Sequence, residues 1–177
     1  WGRFERIGAG EPQTVWVMNT HFDHRGSTAR LKSARMIRQK IEQRPKEMIH
    51  EPIIVLGDLN TSPGSSPIIA LGMADALRES SSGTWNGWDS NNRTGPRIDF
   101  ILSRELDAIT GKVDFLTTKE GRPASDHWPI RAVLRTPRRL LYLEGDEEVP
   151  PPPEYIRSDE RLHEMMLKGN LYRCDPA

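Results

Sequence analysis

The sequence has one cysteine, Cys174, among its 177 residues. A single cysteine excludes an internal disulfide framework and a cysteine-rich zinc site. The chain also has no excess of either charge, since 25 Lys and Arg balance 25 Asp and Glu. Proteins that bind nucleic acid without specificity normally carry a basic excess, because the phosphates supply their affinity. The charge balance therefore favours a small or locally recognised substrate, while a local basic groove stays compatible with it.

Long hydrophobic runs are missing as well. The best apolar run, Pro52 to Leu56, is far too short to span a membrane, and no signal peptide is visible. The chain begins with Trp1, in a segment that resembles the middle of a domain, so we expect the native N-terminus and any targeting signal to be missing. The compartment and the oligomeric state are therefore left open. With 36% hydrophobic and 28% charged residues, the composition is typical of an ordered globular domain.

The hydrophobic pattern predicts a strand, a helix, a strand and then several strands. Ser27 is expected to cap the first helix and Pro45 to stop it. Strands are expected at 14–20, 53–56, 97–102, 113–116 and 130–134, and helices at 27–44 and 66–71. This order favours an α/β sandwich with mixed sheets.

The composition changes after Arg135. An acidic stretch at 144–148 runs into four prolines at 150–153, which is typical of an extended linker. A short helix is expected at 158–168. We therefore predict a globular unit over 1–136, followed by an acidic, proline-rich linker and a short helical tail over 137–177.

Polar residues cluster where the predicted strands end. The clusters are Asn19-Thr20-His21, Asp58 with Asn60, Asp99 at the third strand, and Ser125-Asp126-His127 before the last strand. Functional groups gather at such positions in α/β sheets, because the strands fix them while the loops leave room for a ligand. Any one cluster could also be an ordinary turn. Four clusters in one chain make a catalytic site the better interpretation.

These four clusters, in this order and approximate spacing, resemble the endonuclease/exonuclease/phosphatase superfamily, also called DNase I-like. The resemblance implies a DNase I-like sandwich of two mixed β-sheets flanked by helices, of which this chain carries only the second half. The family's first half supplies a Gln-Glu motif, whose glutamate binds the metal, and an early asparagine near the phosphate. Neither is present here. We therefore expect the chain as given to be incomplete and to be inactive by itself.

The resemblance also implies roles for individual residues. Asp58 matches the base that orients the attacking water, and Asn60 would hold both Asp58 and the phosphate. Asp99 would pair with His127, which then donates to a phosphate oxygen. His21 matches the position that contacts the phosphate or protonates the leaving group. The catalytic candidates are therefore His21, Asp58, Asn60, Asp99 and His127.

One metal ligand is predicted within the chain. Asp126 is a hard oxygen donor suited to Mg²⁺ or Mn²⁺, and it matches the family's metal-associated aspartate. Such a cation would polarise the phosphoryl group and support the leaving oxygen.

Four further residues are candidates for substrate binding: Asn19, His24, Trp85 and Arg97. The last three have an alternative role. Asp23 and His24 either line the site or start the loop before the helix. Arg97 either binds phosphate or pairs with a carboxylate. Trp85 and its neighbour Trp88 either stack on a substrate ring or belong to the packing, which is the commoner fate of tryptophan.

The predicted function is hydrolysis of phosphate esters by an activated water, dependent on Mg²⁺ or Mn²⁺, with a phosphorylated small molecule or nucleic acid as the substrate. The sequence does not choose between monoesters and diesters. Neutral charge and the Asn- and Trp-containing loop favour a small or sugar-like phosphate. A nuclease or deadenylase is the alternative within the enzyme class, and a non-catalytic binding module is the alternative outside it.

Overall fold

The computed structural model describes residues 1–7 and 13–137. The strands are β1 (Gly2–Glu5), β2 (Thr14–Asn19), β3 (Ile53–Asp58), β4 (Ala74–Asp75), β5 (Asp99–Arg104), β6 (Asp107–Val113) and β7 (Ile130–Arg135). The helices are α1 (Ser27–Glu42) and α2 (Ser66–Leu71), and a 3₁₀ turn covers Lys46–Met48. Nothing among the described helices is long and apolar enough to cross a membrane. The predicted linker and tail helix lie outside the described residues.

The strands form two sheets. The first has the order β1-β2-β3-β5-β4, with β2 and β3 parallel and the other pairs antiparallel. The parallel pair requires a crossover, which α1 provides. Within the described residues the second sheet is the antiparallel pair β6-β7. The α/β sandwich predicted from the order of the elements is confirmed.

Each face of the first sheet covers a separate hydrophobic core. On one face, Trp16 and Val55 pack with Ile37 and Ile41 of α1. On the other face, Ile54 and residues of the second sheet pack around Trp128. Because strand side chains alternate between faces, the run Ile53-Ile54-Val55 feeds both cores, and all three residues are buried. The central strand β3 is therefore held rigidly from both sides.

Two strands lie elsewhere than the sequence predicts. β5 begins at Asp99 rather than 97, because the N–H of Ile98 donates to the side-chain oxygen of Thr84 instead of to a neighbouring strand. The strand expected at 113–116 is wrong in position, since β6 runs over Asp107–Val113. Only the last residue of β6 is buried, so its side chains do not show the apolar alternation that marks a strand. The short edge strands β1 and β4 were not predicted at all.

The ends of α1 also differ from expectation. Gly26, not Ser27, is the N-cap residue, and no side chain caps the helix. The preceding loop is organised by Asp23, whose carboxylate accepts the N–H groups of Arg25 and Gly26. These two hydrogen bonds lower the pKa of Asp23. Of its two predicted roles, Asp23 therefore fills the structural one and starts the loop before the helix.

Candidate active site

Two carboxylates face each other at one end of the first sheet. The last residue of β3, Asp58, is paired in the antiparallel register with the first residue of β5, Asp99. Paired residues of neighbouring strands present their side chains on the same face. Ligand atoms of Asp58, Asp99 and His127 all lie within 4.8 Å of one another. The sheet thus joins three residues that are far apart in the sequence.

Asp58 is held by hydrogen bonds on both of its oxygens. Oδ1 accepts the backbone N–H of Asn60 at 2.8 Å, and Oδ2 accepts from the Asn60 side chain at 3.2 Å. His21 Nε2 lies 3.2 Å from the same Oδ2. Asp58 is only 17% exposed, whereas the His21 side chain is 71% exposed. The arrangement fixes the carboxylate and leaves the imidazole open to a ligand.

Asn60 links Asp58 to the loop that follows β2. Its backbone has φ +48°, a left-handed conformation that asparagine tolerates better than most residues. From there its side-chain amide reaches the carbonyl of Phe22 at 2.9 Å, as well as Asp58. The N–H of Phe22 returns a hydrogen bond to the Asp58 carbonyl at 2.9 Å. The loop bearing His21 is therefore tied directly to the end of β3.

Gly57 allows these two chain segments to meet. It has φ +130°, and a Cβ placed on it would lie 2.0 Å from the carbonyl oxygen of Thr20 and 3.0 Å from Asn19 Oδ1. Only a residue without a side chain fits this close approach. The predicted substrate-binding residue Asn19 is exposed here, with its side chain beside Gly57 and one residue before the loop to His21.

Asp99 and His127 form a hydrogen-bonded pair. His127 Nδ1 lies 2.8 Å from Asp99 Oδ2, and both side chains are partly buried. Burial by itself lowers the pKa of His127, but the hydrogen bond to Asp99 and the charges of Asp99, Asp58 and Asp126 outweigh it, so the pKa is raised above 6.5. With Nδ1–H donated to Asp99, the imidazolium keeps Nε2–H for a ligand oxygen.

The raised pKa can be measured directly. In a titration of the His127 ring protons by NMR, without metal, we expect a midpoint above 6.5, and a lower midpoint in Asp99→Asn, because the anionic partner of the charged imidazole is removed. By linkage, the pair stabilises the fold fully below pH 6.5 and loses this contribution as pH rises through the folded pKa. Asp107→Asn, which alters an exposed carboxylate on β6, is the control. Equal midpoints in the parent and Asp99→Asn would contradict the pairing.

Two buried polar residues that the sequence analysis missed support this pair. The Thr84 side-chain oxygen accepts the N–H groups of Ile98 and Asp99, at 2.9 and 3.1 Å. Asn86 is 1% exposed, and its side chain donates to the carbonyl of Ser125 at 3.0 Å. Both lie in a loop rich in Ser, Gly and Asn, whose composition resembles that of a solvated loop. The flanking Gly83 and Gly87 are the only local sign of tight packing.

The other three predicted substrate-binding residues are His24, Arg97 and Trp85. His24 is exposed on the loop before α1. Arg97 donates to Asp75 Oδ2 at 2.5 Å, its guanidinium lies 4.7 Å from the centre of the Phe100 ring, and its side chain is only 8% exposed. Of its two predicted roles, the structure displays the pairing with a carboxylate. Trp85 is joined to His127 by a backbone bridge, with a half-exposed ring.

The donor set of the cluster fits a hard divalent cation. Two carboxylates directly opposite each other on neighbouring strands repel, and a cation between them would offset this cost. Carboxylate oxygens suit Mg²⁺ and Mn²⁺, and an imidazole nitrogen also suits transition metals. Asp126 is not a member of the three-residue group Asp58, Asp99 and His127, although its charge raises the pKa of His127. Asp126 as a metal ligand stays a prediction.

A cavity of about 490 Å³ adjoins the Asp99–His127 pair. Its walls are formed by Asp99 and His127 together with mostly apolar residues: Leu116, Ala124, Ser125, Trp128, Pro129 and Ile130. The volume lies in the range of small-molecule binding sites. The imidazole of His127 and the carboxylate of Asp99 thus stand at the edge of a space large enough for a ligand.

The family model described as "Endonuclease/Exonuclease/phosphatase family" matches residues 5–127. No curated protein matches the chain significantly. Among solved structures, a mannosyl-6-phosphatase from Bacteroides thetaiotaomicron is 26% identical with a TM-score of 0.58, and the match covers 70% of this chain and 51% of that one.

Two further structures share the fold at lower identity. A conserved protein of unknown function from Enterococcus faecalis is 20% identical, with a TM-score of 0.62 and coverage of 73% of this chain and 52% of that one. TDP2 from D. rerio, complexed with a single-strand DNA product, is 20% identical, with a TM-score of 0.54 and coverage of 75% and 60%. The chain spans about half the length of the first two of these structures.

Proposed function

Because the chain belongs to the endonuclease/exonuclease/phosphatase family, whose members include phosphatases and nucleases, we propose that it carries a divalent-metal-dependent site for hydrolysing phosphate esters. The cluster of Asp58, Asp99 and His127 within 4.8 Å carries the proposal. It combines a fixed carboxylate, an imidazole paired with a carboxylate, and oxygen donors for a cation, which are the groups that phosphoryl transfer to water requires.

Asp58 is the proposed general base. Its carboxylate is oriented by Asn60 and His21 and is positioned to accept a proton from the attacking water. The water oxygen then forms a bond to phosphorus while the ester P–O bond breaks. His21, exposed beside Asp58, is the proposed donor of the proton that the departing oxygen takes up.

His127 is the proposed stabiliser of the phosphoryl charge. Its pKa is raised, which favours the imidazolium, and the Nε2–H of that form can be donated to a phosphoryl oxygen. Asp99 holds the ring in the required orientation through Nδ1. The clustered carboxylates and Asp126 would hold Mg²⁺ or Mn²⁺, which would supply additional positive charge to polarise the phosphoryl group.

We propose a small phosphomonoester, with a sugar-like organic part, as the substrate class. The balanced charge of the chain and the similarity to a mannosyl-6-phosphatase at 26% identity support this choice. A nuclease would need a surface that neutralises several phosphates, for which the composition shows no excess of Lys and Arg.

The test is hydrolysis of a sugar 6-phosphate, a generic phosphodiester and a labelled oligonucleotide, each with Mg²⁺, with Mn²⁺ and with a chelator. It is run on this chain and on the chain extended upstream in its parent gene. We expect metal-dependent release of phosphate from the sugar phosphate by the extended protein. Cleavage of the oligonucleotide alone would favour a nuclease. If all three esters stay intact in both proteins, the non-catalytic binding module becomes the better account.

A further inference from the structure

Trp88 is presented to solvent in an unusual way. It is 64% exposed, whereas Trp128, forty residues later, is 2% exposed. Among the described residues no aromatic stacking or cation–π contact involves Trp88, while the comparably exposed Trp1 stacks on Trp16 with ring centroids 5.2 Å apart. Tryptophan has a large apolar face, so an exposed indole without a ring partner has that face available for stacking on a ligand.

The backbone that carries Trp88 is strained. Its φ is +70°, in the left-handed region that bulky residues disfavour. Such outliers persist only where the surroundings enforce them, and they cluster at ligand-binding sites. Here the enforcing contact is the hydrogen bond from the Trp88 N–H to Asn86 Oδ1, at 2.7 Å.

Asn86 connects this turn to the candidate active site. Its side-chain amide donates to the Ser125 carbonyl, and the N–H groups of Asn86 and Gly87 donate to the Asp126 carbonyl at 2.7 and 3.1 Å. Ser125 and Asp126 immediately precede His127. One fully buried asparagine therefore fixes Trp88 on one side and the segment bearing His127 on the other.

Trp85 has a different role from Trp88. A Cβ on Gly87 would lie 2.8 Å from the Trp85 ring, so this ring packs on the glycine and supports the turn. Gly87 itself has φ +62°. Of the two tryptophans in the loop, Trp85 belongs at least partly to the packing, and Trp88 remains as the free aromatic face.

We infer that Trp88 is a specificity-determining residue that stacks on a ring in the organic part of the substrate, either a pyranose or a nucleobase. This inference rests on the proposed function, because the ring is taken to belong to the phosphate ester bound at His127. Both kinds of ring offer the same chemistry, a flat face of C–H groups or π-electrons that an indole can cover. An ester without a ring gains nothing from Trp88.

The test compares affinities rather than rates. Binding of mannose 6-phosphate, adenosine 5′-monophosphate and glycerol 1-phosphate is measured calorimetrically with a chelator present, which prevents turnover under the proposed metal-dependent mechanism and leaves Asp58 in place. Trp88→Gly is the main variant, because glycine adopts φ +70° freely and should not lower the melting temperature. Trp88→Phe keeps an aromatic face, and Trp1→Ala removes an exposed tryptophan at the edge strand β1 as the control.

We expect Trp88→Gly to weaken binding of a ring-bearing ester about 10-fold, the effect typical of a lost stacking contact. Binding of glycerol phosphate should change less than about twofold, and Trp88→Phe should retain most of the affinity. Whether the mannose or the adenosine ester suffers the loss identifies the ring.

An unchanged affinity, an equal loss for all esters, or no binding of either ring-bearing ester would overturn the inference. If the unmodified protein hydrolyses the ester but Trp88→Gly binds it as tightly, the stacking role is refuted and the proposed function stands. If Trp88→Gly selectively loses affinity but the unmodified protein hydrolyses no ester, the proposed function is refuted and the stacking role stands.

Discussion

Asp58→Asn is expected to lower the rate of phosphate ester hydrolysis about 1,000-fold, with little change in stability. Asparagine has the same shape, and its one carbonyl oxygen can keep either the Asn60 N–H at the Oδ1 position or the Asn60 side chain and His21 at the Oδ2 position. It cannot take up the proton of the attacking water, and it has no charge to offer a cation. The loss should therefore appear mainly in kcat, because the proton transfer belongs to the transition state.

The measurement is steady-state hydrolysis of the best ester by the parent protein, Asp58→Asn and Asp107→Asn. Asp107 lies on the second sheet and is largely exposed, so its amide variant controls for the loss of one negative charge. Thermal unfolding of all three proteins controls for damage to the fold. A rate in Asp58→Asn within about tenfold of the parent would rule out Asp58 as the general base.

Gly57→Ala is expected to destabilise the chain by more than about 3 kcal/mol. The added Cβ would meet the Thr20 carbonyl oxygen at 2.0 Å, and the backbone segments that carry these two atoms cannot move apart without breaking other hydrogen bonds. Thr20 N–H donates to the Leu56 carbonyl and Phe22 N–H to the Asp58 carbonyl on either side of the clash. Relief therefore requires separation of the loop bearing His21 from β3, which would also disrupt the site.

Gly64→Ala is the matched control for this substitution. Gly64 also has a positive φ, +73°, but a Cβ there meets nothing within 4 Å. Its cost should be limited to the unfavourable backbone conformation, about 1 kcal/mol. Chemical denaturation of both variants separates the conformational cost from the steric one. Should Gly57→Ala lose no more stability than Gly64→Ala, the close approach of Thr20 would not be a feature of the folded protein.

Much of this architecture follows from local patterns along the chain. Helix α1 has a stop signal at Pro45 and an apolar stripe at helical spacing, and β3 is an unbroken apolar run, so both elements were predicted close to their observed bounds. β6 was misplaced because a largely exposed strand of a small sheet carries few apolar side chains. β1 and β4 are short edge strands that exist because a neighbouring strand offers hydrogen bonds, which no local pattern records.

The candidate site also has a part that the sequence predicts and a part that it does not. The residue types of Asp58, Asn60, Asp99 and His127, and their places at strand ends, are legible in the sequence, because short polar residues after apolar strands interrupt a visible pattern. Their family, now shown by the match over residues 5–127, could be identified from the same motifs. Arg97 shows the limit of this reading, since a guanidinium two residues from Asp99 turns to Asp75 on another strand.

The sequence by itself determined both helices, most of the longer strands, the family and the residue types of the candidate site, since these depend on residue type and short-range spacing. Only the tertiary structure decided which of them meet. Antiparallel register sets Asp58 opposite Asp99, and His127 joins them from 28 residues away. The tertiary structure also decided the supporting contacts of Thr84, Asn86 and Gly57, because burial and close approach arise between segments distant in the chain. A polar residue in a loop looks the same in sequence whether it faces water or fixes a catalytic histidine, and only the packing around it separates the two.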